Sequence, residues 1–330
     1  MPPSPEHLSP SPHRPPPQNA GPPAVCLTPC VGYGHIKAAL DRNLRRLGLD
    51  RCFASSRVLL KPNLVAARKP YDPACTDPRF VRAAAELVLD YGGRPLIGDS
   101  PAFASARRVM ARCHLTDLLA GLAIEIVEFE PGPIRLLPNG QRIRIARQAA
   151  ECDLALNMPK VKAHSQLLVT LAVKNLFGFV VGIRKPWLHM RLGDSGLPRL
   201  LAALPALLPP LVTLCDGVTA MHRTGPIGGE PLALGLTAGS ADPVATDTAL
   251  LAALAIPPEQ SPVWRACRDL GLRGSCLADI DFPCHHPADL RLPRFVVPNE
   301  LAPVRFSPAG LVRGVRKRLA ARRPQCRGTR

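Results

Sequence analysis

The chain has 330 residues, enough to bury a sizeable core in one large domain or two modest ones. Its hydrophobic content of 46% is ordinary, but aromatics make up only 4%, so Leu, Val, Ile and Ala must fill that core. Of the formal charge of +17, nine positive charges lie between Arg305 and Arg330 with no acidic residue among them, and the +8 left on the body suits anionic small molecules as well as nucleic acid.

Ten of the 39 prolines fall within residues 2–23, which predicts a disordered or polyproline-like tail over 1–23. That segment has neither the basic n-region nor the apolar h-region of a secretory signal. The cysteine count of eleven is odd, and no two cysteines form a C-x-x-C pair, which predicts reduced thiols in a cytoplasmic protein rather than a disulfide frame. The most apolar long stretch, Leu197–Cys215, is interrupted by Pro205, Pro209 and Pro210. It reads as a buried helix followed by a strand, not as a transmembrane segment.

From Ala24 the pattern alternates strand and helix. Val25–Thr28 reads as a strand, Ile36–Leu47 as a basic amphipathic helix and Arg57–Leu60 as a buried strand. Pro78–Tyr91 reads as a helix with Asp77 as its N-cap. Pro95–Gly98 is a strand, Ala104–Cys113 a helix and Ile124–Phe129 a strand. Ile134–Leu137 and Arg142–Ile145 flank Asn139-Gly140, which predicts one β-hairpin. Asp153–Asn157 is a buried strand, and the apolar run Leu167–Val181 is expected to begin as a helix. Leu211–Cys215 and Leu232–Thr237 are strands, Pro243–Leu254 and Pro262–Leu270 helices, and Phe295–Val297 the last strand candidate. Short buried strands alternating with helices predict an α/β fold over 24–304, a mostly parallel sheet with helices on both faces. Residues 305–330 form a basic C-terminal tail.

In an open parallel sheet, ligands bind beyond the carboxyl ends of the strands. Arg57–Leu60 is followed by Lys61-Pro62-Asn63, Pro95–Gly98 by Asp99-Ser100, Asp153–Met158 by Pro159-Lys160-Val161-Lys162-Ala163-His164, and Leu211–Cys215 by Asp216. An extended chain aims Lys160, Lys162 and His164 to one side, concentrating positive charge where a phosphate or carboxylate would bind. His164 has the chemistry of a proton shuttle near neutral pH. His189 is a weaker second candidate. Lys174 and Asn175 are, with Thr170, the polar residues of a run otherwise apolar, and in a helix Thr170 and Lys174 would share a face. A lysine in such a setting must meet a carboxylate, an anionic ligand or water. An ion pair with Asp99 or Asp216 is the structural alternative to ligand contact. Gly225 and Gly228, in Gly-Pro-Ile-Gly-Gly, can bring backbone N–H groups close to an anion, with a plain turn as the default. Asp242 reads as an N-cap and Asp247 as facing either the site or the surface. Cys276, Cys284, His285 and His286 match no standard zinc or iron–sulfur spacing, so no metal site is assigned.

The motifs Lys61-Pro-Asn-Leu64, Gly98-Asp-Ser100, Asn157-Met-Pro-Lys-Val-Lys-Ala-His164, Val173-Lys-Asn-Leu-Phe-Gly178, Cys215-Asp-Gly217, Gly225-Pro and Asp242-Pro-Val-Ala-Thr-Asp247 stand in the order of the DUF362 family, which the chain resembles over about residues 56–255. That family has no assigned biochemical function. The resemblance implies Lys61, Asn63, Asp99, Lys160, Lys162, His164, Lys174, Asn175 and Asp216 as site positions, without roles. Some members carry a ferredoxin-like cysteine cluster. This chain lacks the C-x-x-C-x-x-C run, so no iron–sulfur cofactor is expected in it, and no other cofactor is identified.

The expectation is an enzyme for a small anionic metabolite or cofactor. Lys160, Lys162 and Lys174 would bind the anion, His164 with Lys174 and Asp216 would carry acid–base chemistry, and Lys61, Asn63, Asp99, Asn175, Gly225 and Gly228 would line the site. A redox-associated protein related to the iron–sulfur members is one alternative. Contact with nucleic acid or an acidic surface through residues 305–330 is another.

Overall fold

The computed structural model describes residues 21–101, 104–137, 140–181 and 185–302, apart from the side chains of 185–191 and 194. The basic tail at 305–330, all but the last three residues of the proline-rich segment, and the side chain of His189 lie outside that description.

In chain order, strand β1 (Val25–Pro29) leads to helix α1 (Ile36–Arg46), β2 (Arg57–Pro62), α2 (Pro78–Asp90), β3 (Arg94–Ile97), α3 (Ala106–Arg112), α4 (Leu115–Leu119) and β4 (Glu125–Ile126). The hairpin β5 (Pro131–Leu136) and β6 (Arg142–Ala146) follows, then α5 (Arg147–Ala150), β7 (Leu154–Met158), β8 (Lys160–His164), β9 (Leu168–Thr170) and α6 (Ala172–Asn175). Helix α7 (Lys185–Ala203) is kinked at Gly193, where φ is 62°. The last elements are β10 (Leu211–His222), β11 (Glu230–Ser240), α8 (Pro243–Ala253) and α9 (Pro262–Asp269).

The main sheet runs β1-β11-β10-β7-β2-β3-β4. From β10 through β4 every pair is parallel, while β11 is antiparallel to both β10 and β1. Alternating side chains explain how both faces are covered. Val58 and Leu60 of β2, Leu154 and Leu156 of β7, and Val212 and Leu214 of β10 pack in one core with α1 to α4. The residues between them, Leu59 and Ala155, pack in a second core with the hairpin, α7 and α9. A third core joins β1, β8, β10 and β11 to α8.

The predicted caps form. The Asp77 carboxylate accepts from the Arg79 amide, and the Asp242 carboxylate accepts from Val244 N and Ala245 N at 2.8 and 2.9 Å. Asp242→Ala removes both bonds at the start of α8 and is expected to cost about 1 kcal/mol in urea denaturation.

Three local expectations are corrected. The run from Leu167 opens as a strand, β9, antiparallel to β8, because a short, continuously buried apolar run has no period that separates strand from helix. Phe295–Val297 is irregular; Pro293 and Pro298 lack N–H groups on either side of it and limit any ladder to a few residues, and its Val296 carbonyl accepts from Arg223 N at 2.7 Å. The thiols are not all reduced: Cys26 and Cys284, 258 residues apart, are joined as a disulfide, while Cys30, Cys52, Cys75, Cys113, Cys152, Cys215, Cys267 and Cys276 are free. The segment around Asp281 exchanges backbone bonds with Pro23 and Val25, which brings those two sulfurs together.

Candidate functional site

The parallel strands deliver their polar residues to one edge, as their sequence order requires. Lys61 ends β2, Asn157 lies near the end of β7, and Asp99 follows β3. Strand β8 continues directly from β7 and lies parallel to β10, with Lys160 in register with Asp216 and Lys162 with Met221. Lys160, Lys162 and His164 therefore share one side of β8, and all three are buried.

Two of the four lysines at this edge are neutralised. Lys61 Nζ lies 2.8 Å from Asp99 Oδ1 and also donates to Pro62 O and Asn175 Oδ1. Asp99 accepts in addition from Leu64 N and Ser100 N. Lys160 Nζ lies 2.7 Å from Asp216 Oδ2 and donates to the Tyr33 hydroxyl at 3.1 Å. Asp216 accepts also from Tyr33 Oη, Asp77 N and Val218 N. Both pairs are dry, and their remaining lone pairs are satisfied, which is the condition under which a buried pair is tolerated.

The other two lysines have no carboxylate partner. Lys162 Nζ donates to Asn63 Oδ1 at 2.8 Å and Ala74 O at 2.6 Å, and a third donor is unused. Burial, reinforced by the Lys160 and Lys61 ammoniums, lowers its pKa to about 8. Lys174, half-buried on α6, makes no hydrogen bond or ion pair with any described residue, because Asp99 and Asp216 are already committed to Lys61 and Lys160. Burial first, then Lys162 and Lys61, lowers its pKa to about 7. Across from Lys162 in the β8–β9 ladder stands Thr170, fully buried, whose hydroxyl has no partner.

A chain of amides links these groups. Asn175 Oδ1 accepts from Asn63 Nδ2, and Asn175 Nδ2 donates to Asn157 Oδ1, both at 2.8 Å. Helix α6, which carries Lys174 and Asn175, is only four residues long. Asp247 of α8 holds its start by accepting from Ala172 N at 2.6 Å and Val173 N at 3.4 Å. Burial pushes the Asp247 carboxyl up to about 8.

His164 Nδ1 accepts from the amides of Gln166 and Leu167 at 3.1 and 3.2 Å, closing the turn into β9. With Nδ1 accepting, the ring hydrogen of this tautomer is on Nε2. The two motif glycines differ from each other in their surroundings. Gly225, at a cis Gly225-Pro226 bond, lies so close to the Ala163 carbonyl that no Cβ fits, whereas Gly228 sits at φ 79° in open space. Sequence reasoning missed Tyr33, Thr76 and Asn157. Tyr33, between Gly32 and Gly34 after β1, had a signal in being an aromatic flanked by glycines in an aromatic-poor chain. Thr76, which accepts from Asn63 N and donates to Met158 O, had none.

A cavity of about 380 Å³ lined by Arg57, Arg94 and Glu125 lies at the amino ends of β2, β3 and β4, away from the lysines. Among the described residues no cluster of three His, Cys, Asp or Glu side chains is placed to hold a metal ion, and no helix is long and apolar enough to cross a membrane.

The chain is 37% identical over 278 residues to a thylakoid-associated protein of Synechocystis sp., spanning 83% of this chain and 86% of that one. It also resembles the lactate racemase apoprotein of Thermoanaerobacterium thermosaccharolyticum, with a TM-score of 0.41, 14% identity, and coverage of 66% of this chain and 54% of the other. A likeness so distant carries no argument about activity. The family model for a domain of unknown function, DUF362, matches residues 58–252, and this span holds every lysine, asparagine and aspartate of the polar edge just described: the chain belongs to the DUF362 family.

Proposed function

We propose that this chain is an enzyme acting on a small anionic metabolite or cofactor held at the carboxyl edge of the sheet. The observation that carries this reading is the pair of ammonium groups, Lys162 and Lys174, with no carboxylate to neutralise them. Uncompensated charge on the buried Lys162 and the half-buried Lys174 is costly and is retained where a ligand matches it.

In this reading Lys174 meets the anion directly and exchanges a proton with it, since a pKa of about 7 makes either protonation state accessible near neutrality. Lys162 holds charge beneath it. His164, on β8 beside Lys162, is the proposed acid–base partner. Asn63 holds the Lys162 amine, and Lys61, Asp99, Lys160, Asp216 and Asn175 build the bonded frame around it, acting as positioning residues.

The test is a thermal-shift titration with inorganic phosphate and citrate at pH 7. The wild type is expected to gain Tm with one or both, whereas Lys174→Met loses the gain and keeps its circular dichroism spectrum. If Lys174→Met and His164→Ala respond to every anion as the wild type does, the assignment is wrong.

A further inference from the structure

The charge balance at the polar edge says more than "anion". Resting on the anion-site reading above, we infer that the ligand presents two negative charges at one end, as a phosphoryl or sulfuryl group or a pair of carboxylates, and that Lys162 and Lys174 both meet it as ammonium ions.

The net charge at this edge follows from the groups that face one another. Lys61 with Asp99 and Lys160 with Asp216 are internally neutral pairs. The groups acting on Lys162 are Lys160, Lys61, Asp99 and Cys75, and burial keeps the Cys75 thiol protonated by raising its pKa. Those acting on Lys174 are Lys162 and Lys61. Asp247, the carboxyl nearest to the helix that carries Lys174, points at backbone amides rather than at either amine and is mostly uncharged at pH 7. With both amines protonated, what is left uncancelled is +2. A monoanion would leave one buried positive charge unmatched; a dianion matches both.

A second observation points to the same place. The Thr170 hydroxyl is fully buried, has no partner, and lies beside Lys162 in the ladder. A buried hydroxyl without a bond is costly, and an oxygen-rich dianion would supply the acceptor. Lys162 has one unused N–H donor, and Lys174, close enough to feel the Lys162 charge, brings three more as an ammonium ion.

Sulfate is the right probe because its charge stays at two from pH 6 to pH 9, so any pH dependence belongs to the protein. Nitrate is the monoanionic control. By calorimetry on the full chain at pH 7, sulfate is expected to bind at least about tenfold more tightly than nitrate. Sulfate affinity is expected to fall by about a hundredfold or more from pH 7 to pH 9, as both amines deprotonate in the free protein. Buffers of different ionisation enthalpy should report uptake of roughly one to two protons per sulfate at pH 8.

Lys174→Met should bring sulfate down to the affinity of nitrate and weaken the pH dependence, and Thr170→Val should weaken sulfate without altering that dependence. Equal affinities for the two ions, both lost in Lys174→Met, would overturn the dianion and leave the anion site standing. A flat pH profile would also overturn it. Anion binding unaffected by Lys174→Met, or no binding of either ion, would remove the site itself.

Discussion

Gly178→Ala is expected to cost the fold about 3–5 kcal/mol in urea denaturation, far more than a methyl group in a loop normally does. A Cβ on Gly178 would fall inside van der Waals contact with Lys61 Cε, Lys61 Nζ and Asp99 Oδ1 together. Those three atoms belong to a dry ion pair whose lysine is 1% and whose aspartate is 4% exposed, so neither partner can retreat into water. The methyl group must therefore part them and leave Asp99 as an uncompensated charge. The check is a double-mutant cycle with Lys61→Ala, which removes two of the three clashing atoms and leaves the Asp99 Oδ1 contact. The two changes should be non-additive, the glycine substitution costing clearly less once Lys61 is gone. Additive costs would mean that Gly178 matters for its backbone and not for the room it leaves.

Lys174→Met is expected to make the folded protein more stable, by about 2–4 kcal/mol at pH 6. Lys174 gives no hydrogen bond to any described residue, so the substitution strands no acceptor, and Met keeps much of the packing of the stem. The pH dependence follows from the direction of the shift. The folded-state pKa of about 7 lies below the ordinary lysine value of 10.5, so the unfolded chain binds more protons between those values. The penalty is complete below about pH 7 and fades as pH rises towards 10.5. The gain from Lys174→Met should fade over the same window. A substitution that stabilises the fold and removes anion binding would be the sign of an amine kept for use rather than for structure. Equal stability of the two proteins at pH 6 and pH 10 would show that Lys174 is well solvated.

The elements of this fold were largely legible because the local signals agreed. Asp77 before Pro78 and Asp242 before Pro243 announce helix starts that the structure caps as expected, and the buried runs at Arg57, Leu154 and Leu211 lead straight to the polar residues beyond them. Where local signals were silent, reading by pattern went astray. The strand at Leu168–Thr170 sits within a run too uniformly apolar to show a period, and its identity comes from the β8 edge it pairs with. The Cys26–Cys284 bond joins residues that no spacing rule connects.

By itself, the chemistry of the chain determined that lysines, asparagines and aspartates would gather beyond the ends of buried parallel strands, because short apolar runs fix where each strand stops and which residue follows. Only the tertiary structure decided which lysine each aspartate would neutralise. Lys61 took Asp99, Lys160 took Asp216, and Lys162 and Lys174 were left with none. Ion pairing of this kind depends on distances of a few ångströms between residues up to 56 positions apart along the chain. The sequence lists the charges, while strand order and register set the distances between them.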